Sequence, residues 1–341
     1  MTAPLFAGMR PARPRSAAPV CTLAIDLEED FDWLHPVQGT SYSTVNLRNT
    51  NQLHGILGAW GIVPAYLVTY PVLEDAEAVR HLRRRAERGE CVLGLQLHPW
   101  VTPPLEGAAR IENSFSGNLP PALEEAKLLT LKRRFIERFG IAPRIFRAGR
   151  YGLGGQTARL LEQHGIEIDL SLAPRTEFTA EGGPDFTGWD CTPFWFGERR
   201  TLLELPLCRS IIGWGGGLAR RAYQQLSAPA LARLRLSSVL SRLRCAERVT
   251  LSPEGNDVRA MRRLLRHLRR RGQSVFALSF HSSSLGIGLN PYVQSHADLH
   301  LFYDRLSATL DDMAGRLGFA FRSILEVPAL LAPPDDEAMG S

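Results

Sequence analysis

The chain has 341 residues, of which 44% are hydrophobic and 22% are charged. This composition is typical of a globular protein with a sizeable core, and no run of about 18 uncharged apolar residues could span a membrane. The net charge of +5 is concentrated in local arginine clusters at 83–85 and 259–271. Because no nucleic-acid motif accompanies them, nucleic acid is not an expected partner. Solvated helix faces explain them most simply, and peripheral contact with an acidic membrane surface stays open.

The first residues are basic through Arg10, Arg13 and Arg15, and they lack the continuous apolar segment of a secretory signal. We therefore predict that residues 1–19 form a flexible leader on a cytoplasmic protein. The five cysteines are scattered, without CxxC spacing. This pattern indicates reduced, buried thiols rather than disulfides or a zinc cluster.

From residue 20 to 327, short apolar runs typical of strands alternate with longer amphipathic runs typical of helices. The predicted strands are 21–28, 64–72, 91–98, 144–147, 166–172, 202–212, 248–251 and 274–280, with 319–327 as a further candidate. The predicted helices are 45–60, 74–88, 122–139, 157–164, 218–243, 257–271 and 298–317. This alternation predicts a single α/β domain over 20–327, with a parallel sheet or barrel of about seven strands. An acidic tail over 328–341 is predicted to be disordered.

Polar side chains recur where the predicted strands end. They are Asp26, Glu28, His98, Arg147, Arg150, Asp169, Glu254 and His281. In a parallel barrel such strand ends converge on one face, where the active site forms. An irregular segment at 175–200, rich in Gly, Pro and aromatic residues, is long for a compact domain and is also predicted to be functional.

Five pieces of the sequence, at the ends of successive predicted strands, resemble the motifs of a known family. They are 25–28 (Ile-Asp-Leu-Glu), 94–99 (Gly-Leu-Gln-Leu-His-Pro), 146–152 (Phe-Arg-Ala-Gly-Arg-Tyr-Gly), 169–171 (Asp-Leu-Ser) with Pro174, and 278–282 (Leu-Ser-Phe-His-Ser). Their order is that of the polysaccharide deacetylases, the NodB-homology carbohydrate esterases of family four. The pieces Leu-His-Pro-Trp, Gly-Asn-Leu-Pro and Pro-Glu-Gly-Asn resemble a bacterial subgroup associated with exopolysaccharide loci.

The resemblance implies a distorted (β/α) barrel with a hydrolase site. It implies removal of N- or O-linked acetyl groups from a saccharide or polysaccharide precursor, with a divalent metal, zinc by expectation, as cofactor. The chain also departs from the family pattern. Thr102 stands where a second metal-binding histidine is usual, and Gln96 lies two residues before His98. Ser279 replaces a leucine that lines the acetyl pocket in the family.

The resemblance also assigns catalytic roles to single residues. Asp26 would be the general base and His281 the general acid, with Asp169 orienting and charging the histidine. Arg147 or Arg150 would hold Asp26 ionised through a charged hydrogen bond.

The metal would be held by Glu28 and His98, with Asp30 as an alternative acidic ligand, and such a metal would activate water and polarise the carbonyl group. Trp100, Tyr151, Glu254 and Asn118 are candidates for saccharide binding. Packing for Trp100, a position beside a helix N-cap for Glu254 and a turn for Asn118 are the structural alternatives.

Two other functions stay open at this point. One is a metal-free amidohydrolase or glycosidase that uses Asp26, Glu28 and Glu254 as acids. The other is a catalytically degenerate barrel that binds saccharide, which the missing second histidine favours and the set Asp26, Arg147, Asp169 and His281 disfavours. The sugar, the acyl group and the oligomeric state are not determined by the sequence.

Overall fold

A computed structural model describes residues 5–33, 35–37, 42–107, 110–228, 231 and 236–333. Its strands are β1 (Arg10–Pro11), β2 (Val20–Leu27), β3 (Ala65–Val68), β4 (Val92–Leu97), β5 (Ile145–Ala148), β6 (Ile168–Asp169), β7 (Phe194–Phe196), β8 (Leu202–Glu204), β9 (Arg209–Ile212), β10 (Glu247–Thr250), β11 (Val275–His281) and β12 (Ala320–Phe321). Its α-helices are α1 (Thr50–Gly58), α2 (Tyr70–Glu74), α3 (Ala76–Glu87), α4 (Pro121–Phe139), α5 (Thr157–Gln163), α6 (Gly216–Leu226), α7 (Leu236–Arg242), α8 (Val258–Arg270), α9 (His296–Asp311) and α10 (Val327–Leu330).

The main sheet is an α/β sheet in which most strands run parallel. Its order is β1-β7-β8-β6-β5-β4-β3-β2-β11, and the pairs from β8 to β11 are parallel. Strands β7 and β1 extend this series with antiparallel pairs, and β12 pairs beside β2. The predicted fold class, an α/β fold with a mostly parallel central sheet, is confirmed.

Two strand predictions need correction. The segment 202–212 is divided into β8 and β9, and β9 leaves the main sheet to pair antiparallel with β10 in a separate hairpin. The segment 248–251 therefore contributes to that hairpin and not to the parallel series. Leu251 still links the two flanks of the main sheet, because its N–H donates to the Cys208 carbonyl at 2.8 Å and its carbonyl accepts from the Ser279 N–H at 3.2 Å.

The pleat of each strand separates two apolar layers. On β2, Leu23, Ile25 and Leu27 pack into the larger cluster that includes the helices, whereas Ala24 packs on the opposite side. We call the helix-covered side the outer face and the Ala24 side the inner face. Because side chains alternate along a strand, Asp26 follows Ala24 onto the inner face.

Apolar residues close the inner face at the amino ends of the strands. They are Ala24, Ala65, Ile145, Ile168 and Leu203 from the strands, with Ile324, Val327 and Leu331 from the C-terminal segment. Asp26, Gln96, Arg147 and His281 lie beyond this apolar layer, toward the carboxyl ends of the strands.

The predicted boundaries of the domain were too narrow. Phe6 is buried among Trp189, Phe194 and Phe196, and β1 pairs with β7, so residues 5–19 are not a free leader. Residues 328–333 are likewise held, because the Ala332 N–H donates to the Arg13 carbonyl at 2.7 Å. The rest of the predicted leader and tail, 1–4 and 334–341, lies outside the described residues.

The five cysteines are unpaired in the structure, which confirms the expected thiols. In the ranges that the structure describes, every helix is too short or too polar to cross a bilayer.

Candidate active site

The inner face carries a group of ionisable side chains at the carboxyl ends of β2, β4, β5 and β11. Asp26 and His281 are register partners on adjacent parallel strands, and Gln96 pairs with Arg147 in the same way. Register partners on neighbouring strands place their side chains on the same face of the sheet. Asp26, His98, Arg147 and His281 therefore lie together at the carboxyl ends of their strands, as predicted.

Asp26 is fixed by an arginine that is itself buried. The Arg147 guanidinium donates to Asp26 Oδ1 and to Ser279 Oγ, the latter at 3.1 Å, and its Nε donates to the Leu170 carbonyl at 3.1 Å. Asp26 and Arg147 are each 2% exposed. Arg147, rather than Arg150, is therefore the charged hydrogen-bond partner of Asp26.

His281 lies between two carboxylates. Its Nε2 is 3.4 Å from Asp26 Oδ2, and its Nδ1 is 3.0 Å from Glu254 Oε2. Glu254 Oε1 also accepts from the His281 backbone N–H at 2.9 Å and from Ser284 Oγ at 2.5 Å. Burial acts to lower the pKa of His281, but Glu254, Glu28 and Asp26 outweigh it and raise the pKa to about 10. The imidazole is therefore held in the protonated form that a general acid needs.

Glu28, Gln96 and His98 form a compact triangle beside this pair. The Gln96 Nε2 lies 3.1 Å from Glu28 Oε2 and 3.2 Å from His98 Nε2, and the last two atoms are 3.4 Å apart. The Glu29 carboxylate accepts from His98 Nδ1 at 2.7 Å, which turns Nε2 toward the triangle. Burial raises the pKa of Glu28 to about 8, against the opposing effect of His281 and His98.

These three side chains fit a small divalent cation. Two ligands of a tetrahedral zinc lie about 3.4 Å apart, close to the observed edges. Among the described residues, no group of three His, Cys, Asp or Glu side chains could hold a metal, so a cation at Glu28 and His98 would need a ligand of another kind, and Gln96 is in place to supply it. Glu28 Oε1 and Gln96 Oε1 are buried and accept no hydrogen bond from any described residue. Turning the Gln96 carboxamide would place its oxygen in the triangle.

Asp30 is not part of this triangle. Asn46 donates to Asp30 Oδ1 at 2.6 Å, and the Asp30 backbone forms a bridge with Ser43. The prediction of Asp30 as an alternative ligand is corrected, because the chain has already left β2 and turned away from the inner face.

Asp169 does not reach His281. It is the register partner of Phe146, whose side chain packs on the outer face, and it accepts from Ser171 Oγ at 2.5 Å. Its carboxyl group hydrogen-bonds to that of Glu204, another outer-face residue. Glu254 takes the role beside His281 that the sequence analysis gave to Asp169.

Arg150 and Asn118 brace loops. Arg150 donates to Ser114 Oγ at 2.7 Å and pairs with Glu181, without contact to Asp26. Asn118 Nδ2 donates to the carbonyls of Glu112 and Gly182, both at 2.8 Å. Arg150 therefore does not support Asp26, whereas Asn118 makes the turn contacts given as its structural alternative and its role in substrate binding stays a prediction.

Aromatic rings line the site. Trp100 stacks on His98 with 4.1 Å between ring centroids. Because Trp100 is only 4% exposed, it packs on the imidazole of His98 rather than offering a face to a sugar. Trp33 meets His281 edge-on at 4.8 Å and is partly exposed. The Tyr151 ring lies 5.8 Å from the Arg147 guanidinium, which keeps Tyr151 among the candidates for substrate contact.

Sequence reasoning missed the roles of Glu29, Trp33 and Glu254 in this arrangement. Glu29 sits in the acidic run that had been noticed, and its pairing with His98 follows from the turn after β2. Glu254 had a weaker signal, since it follows β10, a strand outside the parallel series.

No protein-family model matches the chain, and no curated protein is similar to it in sequence. Solved structures share its fold. A Mycobacterium smegmatis protein classed as a polysaccharide deacetylase is 14% identical with a TM-score of 0.56, covering 98% of this chain and 100% of its own.

Two other solved structures have similar scores. Puue allantoinase is 12% identical with a TM-score of 0.52, and the match covers 93% of this chain and 91% of the allantoinase. The 4-alpha-glucanotransferase of Thermococcus litoralis is 10% identical with a TM-score of 0.52, and the match covers 92% of this chain and 40% of the transferase. At these identities the likeness establishes the fold.

Proposed function

We propose that this chain is a hydrolase of the polysaccharide deacetylase type that removes N- or O-linked acetyl groups from a saccharide or polysaccharide precursor. The observation that carries the proposal is the pair Asp26 and His281, with 3.4 Å between Oδ2 and Nε2. Each member has a buried partner of opposite charge, Arg147 for the aspartate and Glu254 for the histidine.

This pair can perform both proton transfers of acyl hydrolysis. Asp26, held as the carboxylate, accepts the proton of the attacking water. His281, protonated at the start, donates to the leaving nitrogen or oxygen of the sugar. Trp33 covers the edge of the His281 ring and limits the access of bulk water.

A divalent cation, when bound, would lower the pKa of water and polarise the acyl carbonyl. In this proposal Glu28, His98 and Gln96 hold it, with Glu29 orienting His98. Because the set contains one nitrogen and two oxygen donors, zinc is one of several divalent ions that suit it.

The glycosidase alternative is less well supported. It needs a carboxylic acid free to protonate a glycosidic oxygen. Glu254 is occupied by three hydrogen bonds from His281 and Ser284, and Asp26 is paired with Arg147. Glu28 is then the one acid left of the three, whereas the reaction uses two carboxyl groups.

The direct test is acetate release from a panel of acetylated saccharides, with zinc, manganese or cobalt added. We expect Asp26→Asn and His281→Ala each to lower the rate by at least about a hundredfold. Saccharide binding should change far less, because these groups act in the transition state. Asp304→Asn and His300→Ala, two exposed positions on α9, are matched controls that should keep wild-type rates.

Two results would contradict the proposal in different ways. Tight saccharide binding by the wild type without acetate release would favour a binding protein. Activity that survives both site substitutions would leave the fold assignment in place and exclude the mechanism.

The metal ligands are tested by metal content and calorimetry, which do not depend on activity. His98→Ala should weaken binding at least about tenfold, and Gln96→His should strengthen it, because imidazole is the commoner ligand of such ions. Gln163→His, at an exposed position on α5, should leave affinity unchanged. Equal affinities in all four proteins would exclude this triangle as the metal site.

A further inference from the structure

The hairpin of β9 and β10, together with α6 and α7 between its strands, forms a distinct part of the molecule that we call the hairpin lobe. It carries the three most exposed large hydrophobic side chains among the described residues, Leu218 at 82%, Trp214 at 75% and Leu243 at 62%. Val239 of the same lobe is 50% exposed. A concentration of this kind in one short segment is unusual for a free surface.

The exposed Trp214 is held against the segment that follows α7. The Trp214 backbone N–H donates to the Arg244 carbonyl at 3.3 Å, and the indole Nε1 donates to the Leu243 carbonyl at 2.9 Å. Leu218 lies one helical turn further along, at the start of α6. Gly213 allows this close approach, because a Cβ there would lie 2.2 Å from the Cys245 carbonyl oxygen. The indole is therefore anchored by its polar edge, with its apolar body in solvent.

A basic cavity adjoins the tryptophan. It has a volume of about 370 Å³ and is lined by Trp214, Ile212, Gly213, His267 and the arginines 244, 263, 266 and 270. Arg263 pairs with Glu247, whereas Arg244, Arg266 and Arg270 form no ion pair with any described residue. Burial, with Arg220, Arg271 and Arg270 nearby, lowers the pKa of His267, as expected where positive charge accumulates.

We propose that the hairpin lobe docks this protein peripherally on a bilayer rich in anionic lipids. Trp214, Leu218 and Leu243 would enter the headgroup region, where an indole with one polar edge is well placed. The arginines around the cavity would contact lipid phosphates, because basic residues beside an apolar surface are drawn to anionic leaflets. Helices in the described ranges cannot cross a bilayer, so the contact is with its surface.

The charge pattern disfavours the other occupants of such a patch. A two-fold dimer through this face would bring the same arginines of both copies together. A nucleic acid would use the arginines and one aromatic ring, but it would leave the exposed leucines without a function, since stacking needs aromatic side chains. An anionic bilayer satisfies the apolar and the basic parts together.

The test is co-sedimentation of the full chain with vesicles of phosphatidylcholine alone or with phosphatidylglycerol at about a third of the lipid. We expect binding only to the anionic vesicles, falling as salt screens the arginines. Arg266→Glu/Arg270→Glu should lower the partition coefficient at least about 25-fold, since each basic residue near the surface contributes about fivefold. Leu218→Ser/Leu243→Ser should lower it at least about tenfold.

Matched controls separate docking from general loss of charge or apolar surface. Arg84→Glu/Arg133→Glu reverses two exposed arginines on α3 and α4, and Ile141→Ser/Leu301→Ser removes two exposed apolar side chains elsewhere. Both should bind vesicles like the wild type, and unchanged circular dichroism checks the fold of every variant.

Three outcomes would overturn the proposal. They are absence of wild-type binding to anionic vesicles, equal losses in lobe and control variants, and lobe-dependent dimerisation or nucleic-acid binding without vesicle binding.

Discussion

Buried carboxyl residues lie at the strand ends on both faces of the same sheet, and their surroundings differ. On the inner face, Asp26 is 2% exposed and pairs with Arg147 while facing His281. On the outer face, Asp169 and Glu204 are fully buried against each other. Asp26 is matched by cationic side chains, whereas Asp169 and Glu204 accept hydrogen bonds from Ser171 and from backbone N–H groups and lie beside another acid.

The difference arises from the pleat. Asp26 and Asp169 both lie near the carboxyl ends of apolar strands. Asp26 is on the same face as Ala24, the inner face, whereas Asp169 is the register partner of Phe146 and lies on the outer face. Burial raises the pKa of Asp169 to about 6 and that of Glu204 well above its usual value. An acidic residue at a strand end is therefore a candidate for catalysis only when its parity places it on the inner face.

The largest expected effect, on both stability and activity, comes from Arg147, and Arg150 of the same motif provides the comparison. Arg147→Met leaves Asp26 as an unpaired buried charge and should cost about 3–5 kcal/mol in the free energy of unfolding, with at least about a hundredfold loss of acetate release. Arg150→Met breaks a partly exposed pair and should cost at most about 1 kcal/mol. Denaturant unfolding and initial rates measure both.

A double variant guards against simple misfolding of the first. Asp26→Asn/Arg147→Met removes both charges and should regain much of the lost stability while staying inactive. Equal losses of stability and activity in Arg147→Met and Arg150→Met would contradict the distinction between the two faces.

The next largest effect is expected on the pKa of His281 and distinguishes Glu254 from Asp169 as its carboxylate partner. Three carboxylates raise the pKa of His281, and Glu254 contributes more than Glu28 or Asp26. Glu254→Gln removes that contribution, so the pKa of His281 should fall. Because the general acid must be protonated, activity declines as pH rises through its pKa, and the alkaline limb of the pH–rate profile should move to lower pH. We also expect the maximal rate to drop at least about tenfold.

Asp169→Asn is the matched control for Glu254→Gln, since it removes a buried carboxylate that does not touch His281. Its alkaline limb should coincide with that of the wild type. A shift in Asp169→Asn, with none in Glu254→Gln, would restore the role that the sequence suggested for Asp169.

The smallest effect on catalysis is expected from Glu204→Gln. Glu204 keeps its proton in the folded protein and releases it on unfolding above its ordinary pKa, so the wild type loses stability as pH rises. The amide mimics the protonated acid without that loss. Relative to the wild type, the variant should gain up to about 1.4 kcal/mol per pH unit, with rates within about threefold.

Thermal or denaturant unfolding at pH 5 and pH 8 measures this change. A variant that is destabilised more at pH 8 than at pH 5 would show that Glu204 is ionised in the fold.

Much of the site was accessible from the sequence because period-two alternation is a local property. The strands ending at Asp26, His98, Arg147 and His281 could be recognised from their apolar runs, and their parallel order followed from the intervening helices. Parity along β2 already separates Asp26 and Glu28 from Ile25 and Leu27.

The remainder depended on contacts that sequence spacing does not encode. The strand β6 is only Ile168–Asp169, too short for alternation to reveal which face Asp169 occupies. Glu254 follows β10 of the hairpin lobe, which lies outside the parallel series. In the sequence this lobe cannot be distinguished from an ordinary strand and helix of that series. Phe6 and Leu331 are single apolar residues whose burial depends on distant partners.

The register of β11 on β2 has a consequence for how this chain tolerates insertions and deletions. Seven consecutive residue pairs run from Val275 and Val20 to His281 and Asp26. A single inserted or deleted residue in either strand would move one member of the acid–base pair to the opposite face. Point substitutions on the outer face leave that pairing intact, so the lengths of these two strands are constrained more tightly than their composition.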